Sequence, residues 1–410
     1  MKLAVVTYGT EGDTRPLAAL CCALMDAGHE TRLLADISTL GSAKALGVPS
    51  AALAGDIKGT LQPDQSIAGV VAESDRLRST VNALARIANV NAESWLRQIV
   101  SVAQGCDAII VGGLAAFAGL SAAEYLGVKA IGSGMIPITP TATFPSPFLP
   151  PGIAPRWLNR ASHQFVNRIL WRAFRKTINA ARSKACGMPA RTRAWTQHPM
   201  LYGVSPSLLP PPNDWPANAY LCGQWMQSEQ DWAPPTALSD FLVSGEPPIY
   251  IGFGSMTGFD KPKLLREMIK AVAGRRALFY SGWSGVDASM LPANFFVIDE
   301  TPHDWLFPRT SLVVHHGGSG TTHSAARAGV PSVVVPFAAD QFFWADRLRQ
   351  AGVATDALSW RHLDADQLTG RMEFAKTDAV AARVRALGKK MRAEVGLLNA
   401  VTSIEKIMQG

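Results

Sequence analysis

Eight consecutive residues, His315-His316-Gly317-Gly318-Ser319-Gly320-Thr321-Thr322, bring two imidazoles, three glycines and three hydroxyls into one turn. An apolar, β-branched run, Leu312-Val313-Val314, precedes the turn, and a helical stretch closed by Gly329 follows it. The pattern predicts a buried strand that breaks into a helix. Glycines let the backbone approach a ligand closely, and the helix start leaves N–H groups unpaired. The helix dipole adds partial positive charge there, so the turn suits a phosphate or diphosphate. Ser319, Thr321 and Thr322 supply hydroxyl donors, and an N–H of His315 supplies another. The next apolar run, Ser332 to Pro336, leads to Asp340-Gln341. Parallel neighbours would bring that pair to the same carboxyl edge, where α/β sheets place ligands. A carboxylate beside an amide suits sugar hydroxyls. A Gly-rich turn alone is often only a connection, but the Asp-Gln pair and the paired histidines favour a ligand. No GK[ST] follows, so this is not a Walker loop, and it is not the GxGxxG of a first strand.

A second chemical candidate lies near the N-terminus. The strand expected over Lys2–Tyr8 runs into Gly9-Thr10-Glu11-Gly12-Asp13-Thr14-Arg15-Pro16, ahead of a helix expected over Leu17–Ala27. Asp13 has two readings. It caps the helix, the commoner job for an Asp in this place, or it is a general base that takes a proton from a hydroxyl. The residues alone favour the cap.

The elements that must position these residues repeat a β–α–β pattern, which predicts parallel sheets. Strands are expected at 29–34, 106–111, 128–132 and 200–204, with mainly helical spacing over 71–103, and 220–225 reads as the last strand before the second domain. A second series starts at Pro248 and continues through 277–283, 295–299, 312–314 and 332–336. Helices close the chain at 365–375, 378–394 and 397–408. Ser205–Pro216 carries five prolines, a composition break that places a boundary at 215. Two α/β domains follow, 1–215 and 216–390.

Composition narrows the class. Apolar residues make up 48% and charged residues 17%, which fits a globular protein with a sizeable core. The net charge of +7 resembles that of nucleic-acid binders. No Lys/Arg block with interleaved aromatics dominates, however, and a phosphate-bearing substrate explains mild basicity equally well. Five cysteines without a CxxC read as reduced core residues. The apolar segment Ala108–Ala123 is too short and glycine-rich for a membrane span and reads as strand, turn and helix. With no leader ahead of the first strand, a soluble cytoplasmic protein is expected. Arg156–Lys184 mixes apolar residues with six arginines and two lysines. The plainer reading is an amphipathic helix pair with a solvated basic face; the sharper one is contact with an anionic membrane.

The stretch from His315 to Arg347 resembles the donor-binding signature of family 1 glycosyltransferases. It is most similar to the sterol-glucosyltransferase branch and to the antibiotic and glycopeptidolipid branches. Thr301-Pro302-His303-Asp304-Trp305-Leu306-Phe307-Pro308 resembles the segment that precedes the signature in the sterol branch. GTEGDTRPLAAL resembles those families' opening GxxGDxxPxxAL, whose Asp is the proposed base. The resemblance implies the GT-B fold: two Rossmann-like parallel-sheet domains across a cleft, with residues 391–410 as a helix packing back on the first domain. It implies an inverting, metal-independent transfer, without a cofactor, of a sugar from a UDP-sugar, glucose above all. The acceptor would be a hydroxyl of a lipophilic molecule: a sterol, polyketide, phenol or glycolipid. Asp13 becomes the base. Gly254, Ser255, His315, Gly318, Ser319, Gly320 and Thr321 become the diphosphate site, and Asp340 and Gln341 the sugar site. Trp283, Thr301 and His303 surround the nucleobase, and Thr10, Met135, Phe144 and Phe148 the acceptor. The proline-rich loop 137–152 resembles the acceptor-side loop of the sterol branch; by itself it also reads as a rigid linker. Plant relatives carry a ribose-binding Glu where this chain has His323. Two other functions compete: a nucleotide-sugar epimerase of the same fold, and a nucleotide-sugar-binding protein without turnover.

Overall fold

The computed structural model describes all residues except 61–76, 228–231, 255–259 and 283–287. Two parallel sheets form the frame. The first has seven strands: β1 Lys2–Val6, β2 Glu30–Asp36, β3 Ser50–Leu53, β4 Ala108–Val111, β5 Lys129–Gly134, β6 Met200–Tyr202 and β7 Ala219–Leu221, in spatial order 3-2-1-4-5-6-7. The second has five: β8 Ile249–Gly252, β9 Ala277–Tyr280, β10 Phe295–Ile298, β11 Leu312–His315 and β12 Ser332–Val334, in order 10-9-8-11-12. Strand order reverses between β1 and β4 and between β8 and β11. Those switch points open crevices at the carboxyl ends of the strands.

Both faces of each sheet are covered, so its strands are apolar throughout. On β1, Leu3 and Val5 pack toward the helices Glu11–Asp26 and Gly396–Gln409, while Ala4 and Val6 pack toward Leu77–Ala103 and Asn159–Cys186. The C-terminal helix lies on the first domain: His29 Nε2 meets Glu405 at 3.0 Å, and Lys129 Nζ donates to the Ile407 carbonyl at 2.7 Å. A shared apolar core joins the domains, with Phe144, Tyr202, Val204 and Leu209 against Phe343, Trp344, Leu348 and Met391.

Three expectations change. The first sheet continues past 215, because β7 pairs with β6 beyond the proline cluster. Arg156–Lys184 is one long helix, Asn159–Cys186, led in by a short 3-10 turn, rather than a helix pair. The first helix starts at Glu11, not Leu17, and carries Pro16 inside it, so Asp13 sits within its first turn. Among the described residues no helix is long and apolar enough to cross a membrane, and all five cysteines are free.

Candidate active site

The two switch points face each other, and the chemical candidates gather there. β11 ends at His315, and the helix Ser319–Ala328 begins four residues later. The turn depends on Gly317 (φ +89°), where a Cβ would lie 2.8 Å from Val334 Cγ1 and 2.9 Å from the Gln341 carbonyl. Gly318 is the N-cap and contributes no side-chain cap; the Thr322 N–H is the first to bond back, to the Gly318 carbonyl at 3.0 Å. The N–H groups of Ser319, Gly320 and Thr321 are therefore left for an anion.

His315 is fully buried, and its Nδ1 accepts the Gly317 N–H at 3.1 Å. That bond places the proton of the neutral ring on Nε2. Nε2 is buried and has no partner among the described residues. Burial, reinforced by His316 and His303, pushes the ring far below the ordinary histidine range. Burial likewise lowers His316 to about 4 and His303 to about 3; Arg15 and His316 add to the effect on His303. These imidazoles are neutral hydrogen-bonding groups at physiological pH. His303 stacks on Phe307 at 4.2 Å. Gly254 (φ +59°) lies against His316, a Cβ there being 2.9 Å from Cε1. Thr301 is nearly buried, and its hydroxyl donates to the Asp299 carbonyl at 3.0 Å. Ser255 and Trp283 lie outside the described residues.

From the other domain, Asp13 enters the cleft on the first helix turn. Its Oδ2 accepts the Thr10 N–H at 3.0 Å, so the capping reading is realised. Oδ1 has no hydrogen-bond partner among the described residues. Gly9 makes room for the carboxylate, which a Cβ there would strike. Burial raises Asp13 to about 6, partly offset by the Thr10 bond. Across the cleft, burial raises Asp340 to about 7, Trp344 Nε1 opposes this with a bond at 3.0 Å, and the Asp13 charge adds to the rise. The charge of Asp13 thus bears on Asp340 across the cleft, and both side chains remain partly exposed to it.

The carbonyl oxygen of Gln341 is engaged within the chain. Its Oε1 accepts the Phe337 N–H at 2.7 Å and the Ala338 N–H at 3.1 Å, with the side chain 6% exposed. Those bonds hold a turn in which Ala339 takes a positive φ of 53°, a conformation costly for a residue with a Cβ. Gln341 Oε1 thus braces the turn that leads into Asp340. On the acceptor side, Phe144 is 1% exposed, between His163 and Phe343 at ring distances of 5.7 and 5.3 Å. It belongs to the joint between domains and not to a cleft wall. Met135 packs near Gly203 and joins the core around Trp225. Thr10 and Phe148 stay partly exposed. The proline-rich loop is pinned: Asp214 accepts Thr141 Oγ1 at 2.6 Å and the Ala142 N–H at 2.8 Å, and Arg160 joins it at 2.9 Å.

Two roles escaped sequence reasoning. Arg15 Nη2 reaches Glu300 of the second domain at 2.6 Å, and burial raises the adjacent Glu11 to about 7. Their signal was the i, i+4 charge pair inside the opening motif. His323 is buried, donates from Nδ1 to the Ser319 carbonyl at 2.8 Å and accepts the Ser205 N–H on Nε2 at 3.2 Å. It ties the second domain to the linker.

Residues 279–399 match the model of the C-terminal domain of erythromycin biosynthesis protein CIII-like proteins. Over 427 residues the chain is 32% identical to O-mycaminosyltylonolide 6-deoxyallosyltransferase of Streptomyces fradiae, covering 99% of this chain and 97% of that protein. The chain belongs to this glycosyltransferase family. It is also 30% identical over 441 residues to a sterol 3-beta-glucosyltransferase of Gibberella zeae, covering all of this chain but only 29% of that longer protein. Among solved structures, the glycosyltransferase VinC in complex with DTDP superposes with a TM-score of 0.69 at 19% identity over the whole of both chains. That likeness gives the family chain a GT-B fold.

Proposed function

We propose that this protein transfers a sugar, glucose in the first instance, from a UDP-sugar to a hydroxyl of a lipophilic acceptor, with inversion at the anomeric carbon. One observation carries the proposal. A carboxylate with a raised pKa and one unengaged oxygen, Asp13, faces a second domain that offers unpaired helix N–H groups and a buried, unpartnered Nε2–H on His315.

The chemistry follows from that arrangement. Asp13 Oδ1 takes the acceptor hydroxyl proton as the oxygen attacks the anomeric carbon. The bond from that carbon to the diphosphate oxygen breaks on the opposite face. Negative charge grows on the diphosphate, where the Ser319, Gly320 and Thr321 N–H groups and His315 Nε2–H receive it. Asp340 accepts sugar hydroxyls and fixes the donor. A carboxylate is a weak base for an alcohol, so proton transfer and attack must be concerted between reactants held together. The helix N–H donors and the imidazole supply the charge stabilisation that a cation would otherwise provide, and we propose a reaction without metal or cofactor.

Isothermal titration with UDP, TDP and their glucose conjugates, for wild type and Asp13→Asn, tests the reading. The thymidine series is included because the solved relative holds DTDP. Equal nucleotide binding by both proteins, with nucleotide release on acceptor addition by wild type alone, is the expected result. Failure of every nucleotide to bind would refute the donor site. Release of a changed sugar without an acceptor would replace transfer by epimerisation, and binding with no turnover would leave a binding protein.

A further inference from the structure

From Tyr125 to Asn213 the chain contains eleven Lys and Arg and not one Asp or Glu. Set against a total of +7, this leaves the rest of the molecule net −4. Many of those eleven are already engaged. Arg182 and Arg191 bind Glu124, Arg160 binds Asp214, Lys184 meets Glu93, and Lys129 caps the C-terminal helix. Besides Arg156 and Arg193, four remain, and they are ordered. Arg168, Arg172, Arg175 and Lys176 are all exposed on the helix Asn159–Cys186, at spacings of four, seven and eight from the first. Those spacings put them on one face. No carboxylate among the described residues pairs with them.

The inward face of the same helix is already buried, through Val166, Trp171, Phe174 and Ile178. Its aromatic content is therefore not all consumed by the core. Trp157 is 79% exposed, Ile153 61% and Phe165 56%, all at the end of the stripe where the helix begins. An adjacent helix, tied on by Asn89 Nδ2 to the Ala173 carbonyl at 3.1 Å, adds exposed Arg86 and Val90. A basic stripe flanked by exposed Trp, Phe and Ile is the composition that settles at a bilayer interface: the aromatics enter the headgroup boundary and the guanidinium groups meet lipid phosphates.

We propose that this face docks on a bilayer containing anionic lipids. The occupant follows from charge complementarity and from the aliphatic side chains: the stripe lacks carboxylates, and exposed Ile153 and Val90, unlike rings that could stack on bases, have no use against a soluble polyanion. Docking requires neither donor nor acceptor, so it is tested apart from sugar transfer.

The test is co-sedimentation of the full chain with phosphatidylcholine vesicles and with vesicles in which part of that lipid is replaced by phosphatidylglycerol. Wild type should pellet with the anionic vesicles and be released as salt rises. Each basic side chain near such a surface is worth roughly a five-fold gain in partitioning, so Arg168→Gln/Arg172→Gln/Arg175→Gln should lose roughly a hundred-fold. Trp157→Ser/Phe165→Ser should weaken binding at every salt concentration. All five positions are exposed, and unchanged melting curves show that the variants fold. The proposal is overturned if wild type stays in the supernatant at low salt, or if the triple variant binds as wild type does. It is also overturned if single-stranded RNA competes fully while the aromatic variant binds normally, since the face would then serve a soluble polyanion.

Discussion

Asp13→Asn should give a protein that is less active and more stable, and both halves follow from one desolvated carboxylate. Burial lifts Asp13 from an ordinary 3.8 to about 6. A folded pKa above the unfolded one means that the folded state favours the protonated form. Stability from this group is fully present below pH 3.8 and is lost as pH rises through about 6. At neutral pH the ionised carboxylate therefore costs at most about 3 kcal/mol, at 1.36 kcal/mol per pKa unit. Asn has no charge to desolvate, and its carbonyl still accepts the Thr10 N–H. The variant should gain up to about 3 kcal/mol at pH 7.5, about 6 °C in the melting of a domain of this size, and nothing at pH 4. Its kcat/KM should fall by roughly two to four orders of magnitude. Wild-type activity should rise toward a plateau above about pH 6, while the residual activity of the variant loses that limb. Parallel melting curves and initial rates of nucleotide release across pH 4–8 provide the readout. A variant less stable than wild type by the same margin at every pH would make Asp13 a cap only. So would retention of more than a tenth of the activity.

His315→Ala removes the unpartnered Nε2–H and should weaken nucleoside diphosphate binding by roughly ten- to a hundred-fold, about 1.5–3 kcal/mol for a hydrogen bond to a charged group; titration calorimetry measures it. Gln341→Met frees two buried backbone N–H groups, and should cost about 1–3 kcal/mol in melting as well as raising the donor KM. An unchanged melting temperature would return Gln341 to a pure sugar contact. Phe144→Ala should destabilise the chain by about 3–5 kcal/mol with little specific change in acceptor KM, as thermal melts beside acceptor titrations would show. His323, lowered to about 4 by burial, contributes stability that is present above pH 6.5 and lost as pH falls through about 4. In His323→Gln this acid loss should shrink, which melting at pH 4.5 and 7.5 compares.

The fold was legible because it rests on local pattern. Apolar runs punctuated by glycine turns and helical spacing require only short-range order, and β–α–β succession implies parallel pairing. The strand-to-helix turn from His315 to Ser319 was legible for the same reason, since strand, glycines and helix start are contiguous. What stayed hidden was the choice of partner. Gln341 lies beside Asp340 in sequence, and nothing in that adjacency says that its carbonyl turns back onto Phe337 and Ala338. Phe144 looked like an acceptor contact within a proline-rich loop, but Phe343, nearly two hundred positions away, buries it. The first helix started early because Thr10 and Asp13 cap it ahead of Pro16, where proline chemistry alone suggests a later start.

The charge state of the cleft explains how these pieces act together. Its carboxylates ionise late, Asp13 at about 6 and Glu11 and Asp340 at about 7, while His303 and His316 protonate only near 3 and 4. Between those limits the imidazoles are uncharged, and the carboxylates gain their charge only as pH approaches neutrality. On the proposed reading, the favourable potential for a diphosphate would come from fixed dipoles at the start of the helix Ser319–Ala328 and from Nε2–H of His315, groups that need no rearrangement to accept charge. Arg15 is held at the rim by Glu300, between the two domains. A cationic phosphate site would stabilise the ionised carboxylate of Asp13 as well as the leaving group, pulling Asp13 toward an ordinary pKa and a weaker base. Neutral donors avoid that conflict. In the proposed reaction they would serve the departing diphosphate and leave Asp13 its raised pKa when the acceptor hydroxyl arrives.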